Sequence, residues 1–375
     1  MKKKLLIFHP ALAPYRIDLF NGLNKEFEAN IYFFRTNLLS QKFDTNALNE
    51  QLNFKPKFLT SGFELFFKSR MIRFGYLRKV VLHKPDIILC SEYNLGTFLT
   101  ALFAKWYLPQ SEVYTVCDDS VDVAINSSFI RKTGRYLCMK VMDGLILGND
   151  FAQEWYNKKF PKIKTIVSPI IQKEERIISI LTDAQHISGK YINQYNLKEK
   201  TILLFVGRLV KVKNLAFLMD VFSRYIEKNK NVILVLIGDG DKKKELIEQV
   251  TLLKIQDNVL FAGRFENEEL YAWYRIADYF ILPSTSETFG AVVNEALIAG
   301  VPVICSCLAG ASSLINEKNG VIFNPYDKDE LLSIFNKVLN KKRSTTNSSS
   351  LNNSLMPYTF EQRMKNLISF LKHEN

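Results

Sequence analysis

Short runs of consecutive apolar residues alternate along the chain with stretches whose apolar positions recur every three to four residues. A first series of runs lies at residues 4–8, 29–34, 86–90, 113–117, 144–147 and 164–167, with helical-period stretches at 16–27, 71–83, 96–107 and 129–142. A run of four to six apolar residues without alternation reads as a strand buried on both faces. Strands separated by amphipathic helices build βαβ units and a parallel sheet. A second series repeats at 202–206, 232–237, 259–261, 279–282, 301–305 and 320–323, with helices over 215–227, 242–253, 267–276 and 292–299. Residues 172–200 break the rhythm, being polar and without an apolar strand. The pattern therefore predicts an α/β chain of two Rossmann-like domains, 1–170 and 201–340, joined by a connection over 171–200. Residues 341–355, with the tract KKRSTTNSSSLNNS, read as a polar linker. Beyond it, in a last segment over 356–375, apolar Phe360, Met364, Leu367, Ile368 and Leu371 mark an amphipathic helix, expected to pack back on the first domain.

Composition agrees with two cores: 375 residues exceed one ordinary domain. With 47% hydrophobic and 23% charged residues the chain is neither disordered nor membrane-like. No run approaches the roughly 20 apolar residues of a spanning helix, and the apolar stretch after MKKK ends at Phe8, too short for a signal peptide. A cytoplasmic protein is expected. The net charge of +12 points to partners that carry phosphate: nucleotides, nucleic acid or the anionic face of a membrane. Five cysteines without a CxxC spacing suit buried free thiols, Cys305 and Cys307 sharing one face of a strand. Four scattered histidines make a His-based metal centre improbable, and no metal site is expected.

Two strand-to-helix junctions of the second domain carry candidate chemistry. After the run 202–206 comes Gly207-Arg208-Leu209-Val210-Lys211-Val212-Lys213-Asn214. Ligands of open parallel sheets bind beyond the carboxyl ends of strands. Gly207 lets a ligand approach the backbone there, and Arg208 and Lys213 offer cations to a phosphate. After 279–282 comes Ser284-Thr285-Ser286-Glu287-Thr288-Phe289-Gly290-Ala291-Val292-Val293-Asn294-Glu295-Ala296. Glu287 precedes a helix that opens at Gly290, and the amides around Phe289, Gly290 and Ala291 are donors aimed at an anion. Glu295 falls on the second turn. Carboxylates on either side of an anion site suit a ligand with hydroxyls at both ends and phosphate between. Taken singly, each Glu has a plainer reading as compensation of the helix dipole.

Together, GRLVKVKN and SETFGAVVNEAL resemble the retaining family 4 glycosyltransferases of the GT-B fold. Gly238-Asp239-Gly240, Phe261-Ala262-Gly263 and Ala299-Gly300-Val301-Pro302-Val303 fit the same pattern. The resemblance is strong over about 200–340, while the first half matches in layout and in Ser168-Pro169. It implies two Rossmann-like domains facing across a cleft, the second holding a nucleotide-diphosphate-sugar and the first a glycan or lipid-linked acceptor in cell-surface polysaccharide synthesis. It implies no cofactor and no bound metal. Arg208 and Lys213 match the cations on the donor diphosphate, and Glu287 the carboxylate near the donor sugar. Glu295 matches the ligand of the ribose hydroxyls, Phe289–Ala291 the phosphate-binding helix start, and Arg264 the contact to the base.

The sequence departs from that family in three places. Ser313 stands where a Glu is usual. Cys117-Asp118-Asp119 replaces a His-Asp pair, so Asp118 or Asp119 takes its role. The acceptor loop after the first strand reads His9-Pro10-Ala11-Leu12-Ala13-Pro14-Tyr15-Arg16, with Tyr15 and Arg16 as acceptor-side candidates.

Asp239-Gly240-Asp241 looks like a DxD metal motif, but its place between a strand and the basic helix start Lys242-Lys243-Lys244 reads as a turn and helix cap. Residues 63–78, FELFFKSRMIRFGYLR, mix Phe63, Phe66, Phe67, Met71, Phe74 and Tyr76 with Lys68, Arg70, Arg73 and Arg78, a composition suited to the inner, anionic membrane surface. One rival reading, a basic nucleic-acid-binding protein, has no use for Glu287 and Glu295, so no nucleic-acid partner is expected; the other is a phosphorylase or epimerase of the same GT-B fold acting on related ligands.

Overall fold

The computed structural model describes residues 1–37, 43–59, 75–339 and 351–374. Most of the basic aromatic segment 63–78 lies outside them, as do residues 341–350 of the polar linker. The chain forms two compact units, Met1–Gln172 with Phe360–Asn375, and Lys173–Thr359.

The first unit is a sheet of seven strands: β1 (Lys4–His9), β2 (Glu28–Phe33), β3 (Lys57–Phe58), β4 (Ile87–Ser91), β5 (Glu112–Cys117), β6 (Gly144–Leu147) and β7 (Lys164–Val167). All pairings are parallel, in the order β3-β2-β1-β4-β5-β6-β7. Chain order reverses at β1 and β4, which makes the carboxyl ends of those strands a topological switch point. The two-residue β3 carries no apolar run and escapes the sequence pattern. The terminal helix Phe360–Lys372 belongs to this unit, burying Phe360, Met364, Leu367 and Leu371. Its Met364 fills the space beside Gly22, where a Cβ would come 2.9 Å from the methionine methyl.

The second unit holds β8 (Thr201–Val206), β9 (Val232–Ile237), β10 (Val259–Gly263), β11 (Tyr279–Leu282), β12 (Val303–Ser306) and β13 (Gly320–Phe323). Their order is β10-β9-β8-β11-β12-β13, again all parallel. Here the switch point lies between β8 and β11. Every residue of β8 and β9 is buried, as the unbroken runs TILLFV and VILVLI require of strands covered on both faces. Residues 171–200 differ from the expected connection. From Lys173 onward they carry two helices, Glu174–Asp183 and Gln185–Gln194, that are part of the second unit. Tyr191 stacks on fully buried Trp273 at 4.6 Å, and the Ser188 hydroxyl donates to the Ala272 carbonyl at 3.2 Å.

Strand register is pinned by a recurring device. Asp86, Asp143 and Asp278 each sit just before a strand and accept the amide at the start of its neighbour. The donors are Lys4 at 2.7 Å, Val113 at 2.8 Å and Ile202 at 2.7 Å. One carboxylate thus satisfies a strand-end donor and opposes the slip that would expose an apolar face. The cysteines depart from their expected environment at one position: β12 ends at Ser306, so Cys305 is buried while Cys307 is exposed.

Candidate active site

The loops that follow β8, β9 and β10 are knitted by backbone hydrogen bonds. The Gly207 amide donates to the Ile237 carbonyl, Leu209 to Asp239, Lys242 to Leu209, and Gly238 to Gly263. The approach is too close for side chains. A Cβ on Gly238 would lie 1.9 Å from the Gly207 carbonyl oxygen, and one on Gly240 2.3 Å from that of Leu209. The Asp239-Gly240-Asp241 stretch is therefore a packing element under the Gly207–Leu209 loop. Asp239 spends its carboxylate on the Gly240 amide at 3.0 Å and near Lys243 at 3.8 Å.

From that base the chain makes a short turn, Lys211–Lys213, closed by Asn214 in the left-handed conformation. The turn aims Lys213 at Glu287, with which it forms a hydrogen-bonded ion pair, both side chains largely buried. The Thr285 amide, in the loop after β11, donates to the Val212 carbonyl at 2.9 Å, so the two junctions on either side of the switch point are physically one. Behind them the loop after β12 completes the support. Glu287 bridges to Ala309, and the amides of Gly310 and Ala311 donate to the carbonyls of Glu287 and Phe289 at 3.1 and 2.7 Å. Ser313 turns its hydroxyl to the Gly310 carbonyl at 3.0 Å, occupied with its own turn.

Gly290, with φ 99°, caps the helix Ala291–Ile298; a Cβ there would meet Leu282 at 2.8 Å. Among the described residues no side chain caps this helix, and its first turn holds no acidic residue, so the positive end of its dipole has no carboxylate beside it in that turn. Phe289 is buried beneath it. On the second turn, Glu295 accepts the Tyr274 hydroxyl at 2.9 Å. Desolvation, then the neighbouring Glu295 carboxylate, raise the Tyr274 phenol well above its usual range, so it stays a donor and fixes one Glu295 oxygen. Arg208 is exposed at the loop. Arg264 is not drawn into this group: it sits after edge strand β10, exposed and paired with Glu266.

The first unit places a second polar group at its own switch point. Arg16, 3% exposed, donates to Asp118 at 2.5 Å. Tyr15 and Arg16 form, with Ser168, Pro169 and Arg363, the wall of a small surface pocket. His9 ends β1 and donates from Nδ1 to the Ala11 carbonyl at 2.9 Å. Burial, and then the charge of Arg16, push its pKa down to about 4 against the opposing pull of Asp118, so the ring is neutral.

Asp118 and Asp119, adjacent in sequence, part company. Asp119 is 1% exposed and accepts from Arg131 at 2.6 Å, Arg135 at 3.4 Å and the Tyr156 hydroxyl at 3.2 Å. Glu92 joins the cluster through Arg131 at 2.5 Å. It directly follows β4 in the left-handed conformation, φ 63°, a cost of about 1–2 kcal/mol for a non-glycine residue. Desolvation lifts its carboxyl to about 7, with Arg131 opposing and Asp119 and Asp118 adding to the rise. One atom each of Glu92, Cys117 and Asp119 lies within 4.8 Å of the others, but the guanidinium of Arg131 bonds both carboxylates. Sequence reading missed Glu92, Tyr274 and the Arg131–Arg135 pair. The one available signal was two arginines four apart, hence on one face of the helix Phe129–Cys138.

Residues 188–352 match the protein family described as glycosyl transferases group 1. An α-monoglucosyldiacylglycerol synthase of Streptococcus pneumoniae is 28% identical over 275 residues, 68% of this chain and 60% of that protein. Its namesake from Acholeplasma laidlawii is 25% identical over 264 residues, 66% of each. The chain thus spans less than two thirds of the length of these relatives. The Anabaena protein HepE, solved in complex with UDP and glucose, matches with a TM-score of 0.71 at 17% identity, covering 99% of this chain and 100% of that one. At that identity the likeness is one of fold, and it extends over both units.

Proposed function

We propose, from the match of residues 188–352 to the family described as glycosyl transferases group 1, that the chain is a retaining transferase that moves a sugar from a nucleotide-diphosphate donor to a glycan or lipid-linked acceptor. One observation carries the reading: the Lys213–Glu287 pair, the uncapped helix at Gly290 and the Tyr274-oriented Glu295 converge on the switch point of the second unit. The helix start and Lys213, with Arg208 beside them, receive the diphosphate. Glu295 accepts the ribose hydroxyls, and Glu287 faces the transferred sugar. The leaving diphosphate gains negative charge as the glycosidic bond breaks. Donors already in place stabilise that charge without the cost of reorienting water. The acceptor hydroxyl attacks on the face from which the diphosphate departs, which retains the anomeric configuration, and a phosphate oxygen takes its proton.

The protein's own cations neutralise the diphosphate, so the reaction proceeds without a divalent ion. Arg16, Asp118 and Tyr15 form the acceptor side. Two relatives named as α-monoglucosyldiacylglycerol synthases support a lipid-linked acceptor; a cytoplasmic membrane face and cell-surface glycan synthesis are the setting we propose. Calorimetric titration with UDP, GDP and ADP, followed by NMR of the product anomer, tests this. Saturable binding of one nucleotide diphosphate and a product of unchanged configuration is expected. Failure of all three to bind overturns it.

A further inference from the structure

Three neighbouring helices of the first unit expose apolar side chains, and two of them are built inside out. The helix Leu95–Tyr107 buries Thr97, Thr100, Ala101 and Ala104, while Leu95, Leu99, Leu102 and Trp106 are exposed, Trp106 at 78%. The spacing of these four, at intervals of four, three and four, puts them on one helix face. The helix Phe129–Cys138 repeats the inversion, burying Arg135 and exposing Phe129 at 82%, Ile130 and Leu137. The helix Tyr76–His83 buries Tyr76 and Val80 but leaves Leu77, Val81 and Leu82 exposed. The first two helices pack together, and the third packs on Leu95–Tyr107. A water-facing helix presents the reverse pattern, so a surface of this kind marks an interaction site.

Charge identifies the occupant. None of the three helices contains an Asp or Glu, and their rim carries exposed Arg78, Lys84, Lys132 and Lys140. Lys140 lies over the Tyr136 ring at 4.6 Å. Apolar and indole side chains between cations suit the boundary of an anionic bilayer, where rings and methylenes enter the acyl edge and ammonium groups stay with phosphates. We infer that this three-helix face seats the protein on an anionic lipid surface. The inference deepens the reading above and names the partner surface of its acceptor side. The helix that presents Phe129 and Ile130 outward holds Asp119 inward through Arg131 and Arg135, beside Asp118.

The test is co-sedimentation of the full chain with phosphatidylglycerol-rich vesicles and with pure phosphatidylcholine vesicles, without donor present. Binding to the first that weakens in high salt is expected. Trp106→Glu with Phe129→Glu should lower the partition at least roughly tenfold, since each anchor loses its apolar transfer energy. Lys132→Glu with Lys140→Glu should weaken it without touching the apolar face. Far-UV circular dichroism and Tm confirm that the variants fold. No binding to either vesicle, or equal binding to both, overturns the inference. So does a dimer in sedimentation equilibrium that Trp106→Glu dissociates, which would assign the face to a second copy. Vesicle binding that persists in a protein that binds no nucleotide diphosphate refutes the transferase reading alone.

Discussion

Lys213 and Glu287, 74 positions apart, meet as an ion pair between the loops that follow two adjacent parallel strands. Neither residue is free to wander. Lys213 is fixed by the turn that Asn214 closes, and Glu287 by its bridge to Ala309. The pair holds a cation beside the uncapped helix before any ligand arrives, and such preorganisation favours charge developing on a leaving group.

Lys213→Ala should lower turnover by roughly 10²–10³, the usual loss for one preorganised donor. It should also cost stability on the order of 1–3 kcal/mol, because Glu287 keeps its burial and loses its partner. The double variant Lys213→Ala, Glu287→Gln should regain part of that stability and none of the turnover. Urea titration with steady-state kinetics on the four proteins of the cycle reads both. Near-normal turnover of Lys213→Ala would take this junction out of the active site.

The two glutamates should separate in nucleotide binding. Glu295→Gln should weaken free nucleotide diphosphate by on the order of 1.5–3 kcal/mol, the range for a hydrogen bond to a charged group. Tyr274→Phe should show about 1 kcal/mol of the same effect, because the phenol only orients that carboxylate. Glu287→Gln should leave this affinity nearly unchanged while lowering transfer. Calorimetry with nucleotide diphosphate alone decides it, and a weak-binding Glu287→Gln beside a normal Glu295→Gln reverses the roles.

What the sequence made legible follows from locality. The runs TILLFV and VILVLI are uninterrupted because both faces are covered, and the helix start at Gly290 is written into the residues around it. Pairs such as Arg16 with Asp118, 102 positions apart, exist only once β1 and β5 lie on either side of β4. Glu92 left no trace, because its meaning depends on an arginine 39 positions later. The helix Leu95–Tyr107 was found by its period and its faces were not. Periodicity gives an amphipathic stripe but assumes that the apolar side points inward, and here the small and polar side does. The basic aromatic character expected of residues 63–78 reappears on this surface.

Gly238→Ala should abolish nucleotide binding and lower Tm, since its Cβ would overlap a carbonyl oxygen and displace the Gly207–Leu209 loop. Asp239→Asn should retain most activity, and chelator should leave wild-type turnover largely intact. Both assays distinguish a packing turn from a metal motif. Loss of activity in EDTA that manganese or magnesium restores, together with an inactive Asp239→Asn, would make the carboxylates ligands instead.

His9 supplies a pH signature for the first unit. Its folded pKa of about 4 lies below the ordinary value near 6.5, because burial and Arg16 disfavour the imidazolium. Between those values the unfolded chain binds more protons at this site than the folded one, so stability rises with pH across the window. The contribution is complete above about 6.5 and lost as pH falls through the folded pKa. Glu92 works in the opposite sense. Its carboxyl is raised to about 7, so its share of stability is lost as pH climbs towards that value, and the two partly cancel in the wild type. Arg16 and Asp118, the charged groups facing His9, pair with each other at 2.5 Å. His9→Phe, which keeps an aromatic ring against Phe20 and Phe33 and cannot titrate, should flatten the rise. Relative to wild type it should therefore gain stability at pH 4.5 against pH 7. Glu92→Gln should do the reverse, making the rise between pH 4.5 and 6.5 steeper than in the wild type. Urea midpoints of the three proteins at four pH values measure the differences, in which all other titrations cancel. Parallel profiles for His9→Phe and wild type would mean that His9 titrates alike in the folded and unfolded chains.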